Sequence, residues 1–190
     1  MHNPERLKTP STIALIGYRG SGKTTVSRLL AEALNWECVD ADDLIEATAG
    51  KSIAAIFAQD GERSFRDYES TVLEQVLSET ERVIATGGGV ILRPENRRLL
   101  QQSAYVVWLT ATPETLWQRI AADMTTAARR PNLTAAGGIS EITAMLAQRE
   151  PLYRACSQVV VDTENRTPGA VVTAIHQQIS RLWPNAGGSS

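Results

Sequence analysis

Five short apolar runs punctuate the chain, and between them apolar residues recur at three- and four-residue intervals. The runs are Thr12-Ile13-Ala14-Leu15-Ile16, Glu37-Cys38-Val39-Asp40, Arg82-Val83-Ile84-Ala85, Tyr105-Val106-Val107-Trp108-Leu109 and Val159-Val160-Val161. Short runs rich in β-branched and aromatic residues read as buried strands. After the first, Val26, Leu29, Leu30, Ala33 and Leu34 take helical spacing, with Arg28 and Glu32 between them. Asp40 to Glu46 opens a second helix, since acidic residues suit a first turn, and Gly50 breaks it. Ser52 is placed to cap Ile53 to Gln59, whose Ile53, Ile56 and Phe57 share a face. Asp60-Gly61 is a turn signal, and Glu62 to Ser78 predicts a longer helix carrying Phe65, Tyr68, Val72, Leu73, Val76 and Leu77.

Pro94 to Gln102 predicts a short helix, and Thr112-Pro113-Glu114 supplies a cap, a first-turn proline and an acid for a helix ending near Ala122. Met124 to Gly138 differs in kind: small and polar residues, two arginines and a proline read as a mobile surface loop. Helical spacing resumes through Ile139, Ile142, Met145 and Leu146 to about Tyr153, and Pro168 to Leu182 forms the last helix. Met1 to Pro10 and Asn185 to Ser190 are expected to be flexible termini. Strands alternating with helices predict an α/β fold, a five-stranded parallel sheet covered on both faces in a three-layer α/β/α sandwich. Ligands in such sheets bind beyond the carboxyl ends of the strands.

Composition narrows the class. The 190 residues suit a single domain with its core from about 12 to 182, and 43% hydrophobic with 21% charged residues is ordinary for a soluble globular protein. A net charge of -2 and a pI near 5.8 argue against a nucleic-acid-coating surface. No apolar run is long enough to cross a bilayer, and Met1 to Pro10 lacks an apolar signal segment, so a cytoplasmic location without membrane or nucleic-acid partners is expected. Cys38 and Cys156 lack metal or redox spacing and read as reduced core or near-core thiols; His2 and His176 read as surface residues.

The chemistry begins at Gly17-Tyr18-Arg19-Gly20-Ser21-Gly22-Lys23-Thr24, a G-x-x-x-x-G-K-[ST] loop between the first strand and first helix. Its glycines let backbone N–H groups converge on a polyphosphate, and the helix N-terminus adds positive partial charge. Lys23 would reach the β- and γ-phosphates, and the Thr24 hydroxyl would ligate Mg²⁺. Asp40-x-Asp42 is the candidate carboxylate pair. In an extended segment residues two apart face the same way, so one carboxylate could serve the magnesium and the other an acceptor hydroxyl. Helix capping is the competing reading for both, and Asp43 reads as a cap alone. Gly87-Gly88-Gly89 permits close approach of backbone to ligand. Arg66 and Arg149 would solvate a surface if apart but form a bidentate carboxylate clamp if they converge. Arg129 and Arg130 could swing over the phosphates and exclude water.

With these motifs in order, the chain resembles the shikimate kinases, P-loop enzymes that phosphorylate the 3-hydroxyl of shikimate with ATP. The match covers nearly the whole chain, from about Thr12 to Leu182. It rests on the P-loop, Asp40-x-Asp42-x-x-Ile45-Glu46, Asp60-Gly61-Glu62-x-x-Phe65-Arg66-x-x-Glu69 and Gly87-Gly88-Gly89. Later come Arg130-Pro131, Arg149-x-Pro151-Leu152-Tyr153 and Asp162-Thr163 with Pro168. The resemblance implies that Asp42, Arg66, Gly88 and Arg149 bind shikimate, with Asp42 orienting or deprotonating the attacking hydroxyl. It implies that Gly20, Ser21, Gly22, Lys23, Thr24 and Thr25 cradle the ATP phosphates, that Thr24 holds Mg²⁺ and that Asp40 supports the metal through water. Lys23, Asp42 and the lid residue Arg130 would be catalytic, Arg166 would flank the adenine, and the strand order would be 2-3-1-4-5. A monomer is expected. The lid is about 124 to 138; between Asp123 and Arg130 it looks longer than usual in the family, and Asn132-Leu133 stands where two leucines are common. A gluconate kinase shares the fold and loop but does not need Arg66, Arg149 and Asp42 in this arrangement. A nucleotide kinase would need a base-recognition pocket, and a binding-only module would not need Lys23, Thr24, Asp42 and Arg130 together.

Overall fold

The structure is a computed structural model in which residues 11–122 and 138–182 are described. Its strands are β1 (Thr12–Ile16), β2 (Glu37–Asp40), β3 (Arg82–Ala85), β4 (Tyr105–Thr110) and β5 (Val159–Asp162). The helices are α1 (Lys23–Leu34), α2 (Ala41–Ala49), α3 (Ile53–Gln59), α4 (Gly61–Leu77), α5 (Pro94–Ser103), α6 (Pro113–Ala122), α7 (Gly138–Cys156) and α8 (Pro168–Leu182), with a 3-10 turn at Val90–Leu92. The sheet order is β2-β3-β1-β4-β5, and every pairing is parallel, as the resemblance implied.

Alternation along the strands sorts the core into two layers. Ile13, Leu15, Val83, Val107, Leu109 and Val161 face α1 and α8, meeting Val26, Leu30, Ala31, Val171, Ile175 and Ile179. Ala14, Ile16, Val39, Ile84, Val106 and Trp108 face the other way, against Ile45, Ile56, Phe65, Val72, Leu73, Leu100 and Tyr153 from α2, α3, α4, α5 and α7. A third cluster joins Tyr18 of the P-loop to Leu116 and Ile120 of α6 and to Ile142 and Leu146 of α7.

Several local expectations need correction. The apolar runs are fully covered only in the sheet's interior. Val160 on edge strand β5 is 41% exposed, and Cys38 on edge strand β2 is exposed rather than near the core, while Cys156 is buried. In α1 the buried stripe is Val26, Ser27, Leu30 and Ala31, leaving Leu29 and Ala33 outside. Ser27 tolerates this burial because its hydroxyl donates to the Thr24 carbonyl at 3.0 Å. The helix carrying Arg149, expected to run to about Tyr153, continues to Cys156, with Pro151 inside it simply unable to donate back to residue 147. Gly138, expected as the last lid residue, instead opens α7 with φ +80°. The rest of that expected lid, 124–137, lies outside the described residues, as do the termini 1–10 and 185–190.

The caps are as the residue types demand. Ser52 accepts from Ala55 N at 3.2 Å and Thr112 from Thr115 N at 3.3 Å. Asp60 closes α3 and opens α4, so Asp60-Gly61 is a helix-to-helix corner. Ile84, fully buried on the interior strand β3, tests the core: Ile84→Ala should cost about 3 kcal/mol. Urea unfolding should show a lower midpoint at unchanged slope, and a loss below about 1 kcal/mol would mean that this layer repacks freely.

Candidate active site

Parallel pairing brings the strand ends level. Leu15 and Asp40 both lie opposite Ala85, Ile16 lies opposite Trp108 and Thr110 opposite Asp162. The loops that follow therefore meet at one edge. At Gly17 any Cβ would collide with the Leu109 carbonyl, so the loop leaves β1 against the backbone of its neighbour. Gly22, with φ +90°, then turns the chain into α1 as its N-cap. Ser21 is buried, while Thr24 and Thr25 are exposed on the first turn. Lys23 folds back over the loop, its Nζ donating to the Gly17 and Tyr18 carbonyls at 2.9 Å each. Gly20 to Thr25 thus presents a helix N-terminus and an ammonium in one place, a ready anion site.

Asp40 and Asp42 do not share an extended segment. Asp40 ends β2 and Asp42 is the second residue of α2, so alternation is not what brings them together. Instead Asp40 spans two elements. Its Oδ1 accepts from Asp42 N–H at 3.0 Å, capping α2, and its Oδ2 accepts from the Thr24 hydroxyl at 2.9 Å. Capping and site-building are one arrangement here, not rivals. Burial pushes the Asp40 carboxyl above its ordinary value of 3.8, with Thr24's hydrogen bond opposing and the neighbouring Asp42 charge adding to the rise. Asp42 is half-buried at this edge.

The two arginines do converge. On α4, Arg66 Nη1 donates to Glu69 Oε2 at 2.7 Å and Nη2 to Glu62 Oε1 at 3.2 Å, and the guanidinium lies 5.1 Å from the Phe65 ring centre. It also lies flat over Gly89, where a Cβ would collide with it. On α7, Arg149 is buried, stacked 5.8 Å over the Tyr18 ring, and donates from Nη1 to the Gly88 carbonyl at 3.3 Å. Its Nε has no hydrogen-bond partner among the described residues, so the group keeps donor capacity for an anion. Gly88 in turn sits against the P-loop, with room for a Cβ only 3.3 Å from the Gly17 carbonyl. The triple glycine is therefore a thin wedge between the phosphate loop and both arginines.

Four features escaped the sequence reading. Glu69, 3% exposed, is the carboxylate that fixes Arg66. Tyr153, fully buried, donates its hydroxyl to the Gly88 carbonyl at 2.5 Å. Glu141 at the start of α7 lies 3.7 Å from Arg19 of the P-loop. Arg119 of α6 donates to Thr163 Oγ1 and to the Thr163 carbonyl, each at 2.9 Å, and to the Gly20 carbonyl at 3.4 Å. It ties the P-loop to the loop after β5, where Arg166 is exposed. Glu69 and Tyr153 lay inside quoted motifs, which signalled them without a role; an arginine within a helix gave no signal for Arg119. Arg129 and Arg130 lie outside the described residues.

Known proteins were compared with this geometry. A shikimate kinase family model matches residues 19–180. The chain belongs to the shikimate kinase family. A shikimate kinase of Rhodopirellula baltica is 46% identical over 87% of this chain and 89% of its own length, and one of Symbiobacterium thermophilum is 42% identical over 88% and 95%. Among solved structures, the shikimate kinase of Acinetobacter baumannii in complex with shikimate superposes with a TM-score of 0.86 at 36% identity, covering 93% of this chain and 96% of that one. A gluconokinase from Sinorhizobium meliloti, 18% identical with a TM-score of 0.58, shares the fold alone.

Asp40 gives a test with a definite sign. Its folded value is raised, so the neutral form favours folding. That contribution is complete below the ordinary 3.8 and is lost as pH climbs through the raised value. In metal-free protein the stability difference between Asp40→Asn and the parent should move in the variant's favour as pH rises from below 3.8 through the raised value. Urea titrations that give a pH-independent difference would sink this assignment.

Proposed function

We propose that this shikimate kinase transfers the γ-phosphoryl group of ATP to the 3-hydroxyl of shikimate, holding the acceptor with Asp42, Arg66, Gly88 and Arg149. The observation that carries the reading is the pair of guanidiniums seated on adjacent glycines, Arg149 on the Gly88 carbonyl and Arg66 over Gly89. Two forks beside one thin backbone suit a planar carboxylate better than a sugar or a base. Phosphoryl transfer needs in-line placement and charge neutralisation more than covalent chemistry. The P-loop from Gly20 to Thr25 holds the phosphates, and Lys23 exchanges the carbonyls of Gly17 and Tyr18 for the β- and γ-phosphates.

The hydroxyl of Thr24 and the carboxylate of Asp40 are hard oxygen donors 2.9 Å apart beside that loop, a set that fits Mg²⁺. Thr24 would hold the ion directly and Asp40 through water; when bound, the ion neutralises phosphate charge. Asp42, the second residue of α2 and two positions after Asp40, orients the acceptor hydroxyl and takes its proton. Arg130 is assigned to the phosphates and Arg166 to the adenine on the family resemblance. The enzyme acts on small molecules alone, as a cytoplasmic monomer.

A coupled assay of ATP consumption tests the acceptor. Turnover should depend on shikimate and be absent with gluconate or nucleoside monophosphates; equal turnover with gluconate would overturn the proposal. Gly89 tests the clamp. In Gly89→Ala the new methyl meets the far end of a flexible arginine, so the fold should survive while the Arg66 head is displaced. KM for shikimate should rise by about tenfold or more, with stability and KM for ATP little changed. An unchanged KM for shikimate would remove Arg66 from acceptor binding.

A further inference from the structure

We propose that Tyr153 is a positioning residue: its buried hydroxyl sets the Gly88–Gly89 peptide, and with it the Arg149 head, before the acceptor arrives. The inference rests on the acceptor-site reading above and extends it to a side chain that touches no substrate. The Tyr153 ring is fully buried and stacks on Trp108, with centroids 5.6 Å apart and planes 19° apart. For that packing a phenylalanine would serve equally well. The hydroxyl adds nothing to the apolar layer and must be satisfied there, because an unbonded phenol in the core is costly. Its partner is the carbonyl of Gly88, at 2.5 Å.

The same carbonyl accepts from Arg149 Nη1 at 3.3 Å, so both of its lone pairs are used and two donors one helical turn apart on α7 meet at one oxygen. The peptide is planar, so a fixed Gly88 carbonyl also fixes the direction of the Gly89 N–H. A run of three glycines has no side chain with which to anchor itself and loses more conformational freedom on ordering than any other sequence would. Beyond the 3-10 bonds from Val90 to Gly87 and from Leu92 to Gly89, the Tyr153 and Arg149 donors are what hold it. Burial pushes the phenol up to about 12, so the hydroxyl keeps its proton and remains a donor throughout the working range.

The test is Tyr153→Phe in the full chain, assayed beside Arg149→Lys. The lost hydroxyl removes one neutral hydrogen bond on a site backbone, so KM for shikimate should rise about three- to tenfold. KM for ATP and kcat should stay within about twofold, the pattern of lost uniform binding of one substrate. A purely structural role would move both KM values together or neither, and either result overturns the inference. So would a Tyr153→Phe chain that fails to fold, because the hydroxyl would then be a requirement of the core. Arg149→Lys separates this inference from the reading beneath it. If the lysine variant raises KM for shikimate and the phenylalanine variant does not, only the role of Tyr153 falls. If the lysine variant spares shikimate, the acceptor site itself is wrong and the inference falls with it.

Discussion

The carbonyl of Gly17 is the point on which both halves of this site depend. It accepts the Lys23 ammonium on one side, and on the other it lies against the backbone of Gly88, where a side chain would begin only 3.3 Å away. The P-loop and the glycine run thus meet at bare backbone, while the Tyr18 ring carries the P-loop's contact with Arg149. A Cβ at this distance would push one of the two loops away by a fraction of an ångström, so glycine keeps the proposed phosphate cradle close to the proposed arginine clamp. Direct transfer between two bound substrates needs that separation to be small and fixed. The sheet register supplies the rest, since Leu15 and Asp40 are level with Ala85 and each chain turns into its loop at the same height.

Holding two guanidiniums near one spot carries an electrostatic cost, and the fold meets it differently at each. Arg66 is compensated by Glu69 and Glu62 and by the face of Phe65. Arg149 has a carbonyl and the Tyr18 ring, and no carboxylate within ion-pair distance among the described residues. A buried charge held only by dipoles and a π-face is under-compensated. In the proposed acceptor site, the acceptor's carboxylate would complete it. On this view Arg66 is the prepaid, pre-aimed partner, and Arg149 is the one whose electrostatics improve most when the acceptor binds.

The sequence made the periodic features legible and left the contacts dark. Strand and helix positions followed from apolar spacing, and the P-loop from glycine and lysine at fixed offsets, because both are local properties of the chain. Edge exposure was not local: nothing within Val159-Val160-Val161 shows that β5 has a neighbour on one side only. Asp40 defeated a rule of local geometry, since the strand ends at that residue and the helix begins at the next, so alternation no longer applies. The contacts that converge on Gly88 join residues far apart in the chain, 61 positions for Arg149 and 65 for Tyr153. Periodicity reports which face of α7 is apolar, but not which carbonyl a hydroxyl on that face will find. Arg149 and Tyr153 share one motif in the sequence; only the three-dimensional arrangement shows that both donate to the Gly88 carbonyl.

That arrangement gives α7 a role larger than carrying one arginine. At its first turn Glu141 reaches Arg19 in the phosphate loop; farther along, Arg149 and Tyr153 reach Gly88 in the acceptor wedge. One helix therefore touches both halves of the site, and its continuation through Pro151 keeps Arg149 and Tyr153 on a single rigid element rather than on a helix and a loop. Packing against Tyr18, Leu116 and Ile120 through Ile142 and Leu146 locks it to α6, whose Arg119 in turn holds the Gly20 carbonyl. A displacement of α7 would shift the clamp and strain the P-loop in the same movement. The placement of the glycine run against the P-loop is consequently a property of the helical layer and not of the loops alone, which are too rich in glycine to maintain it themselves.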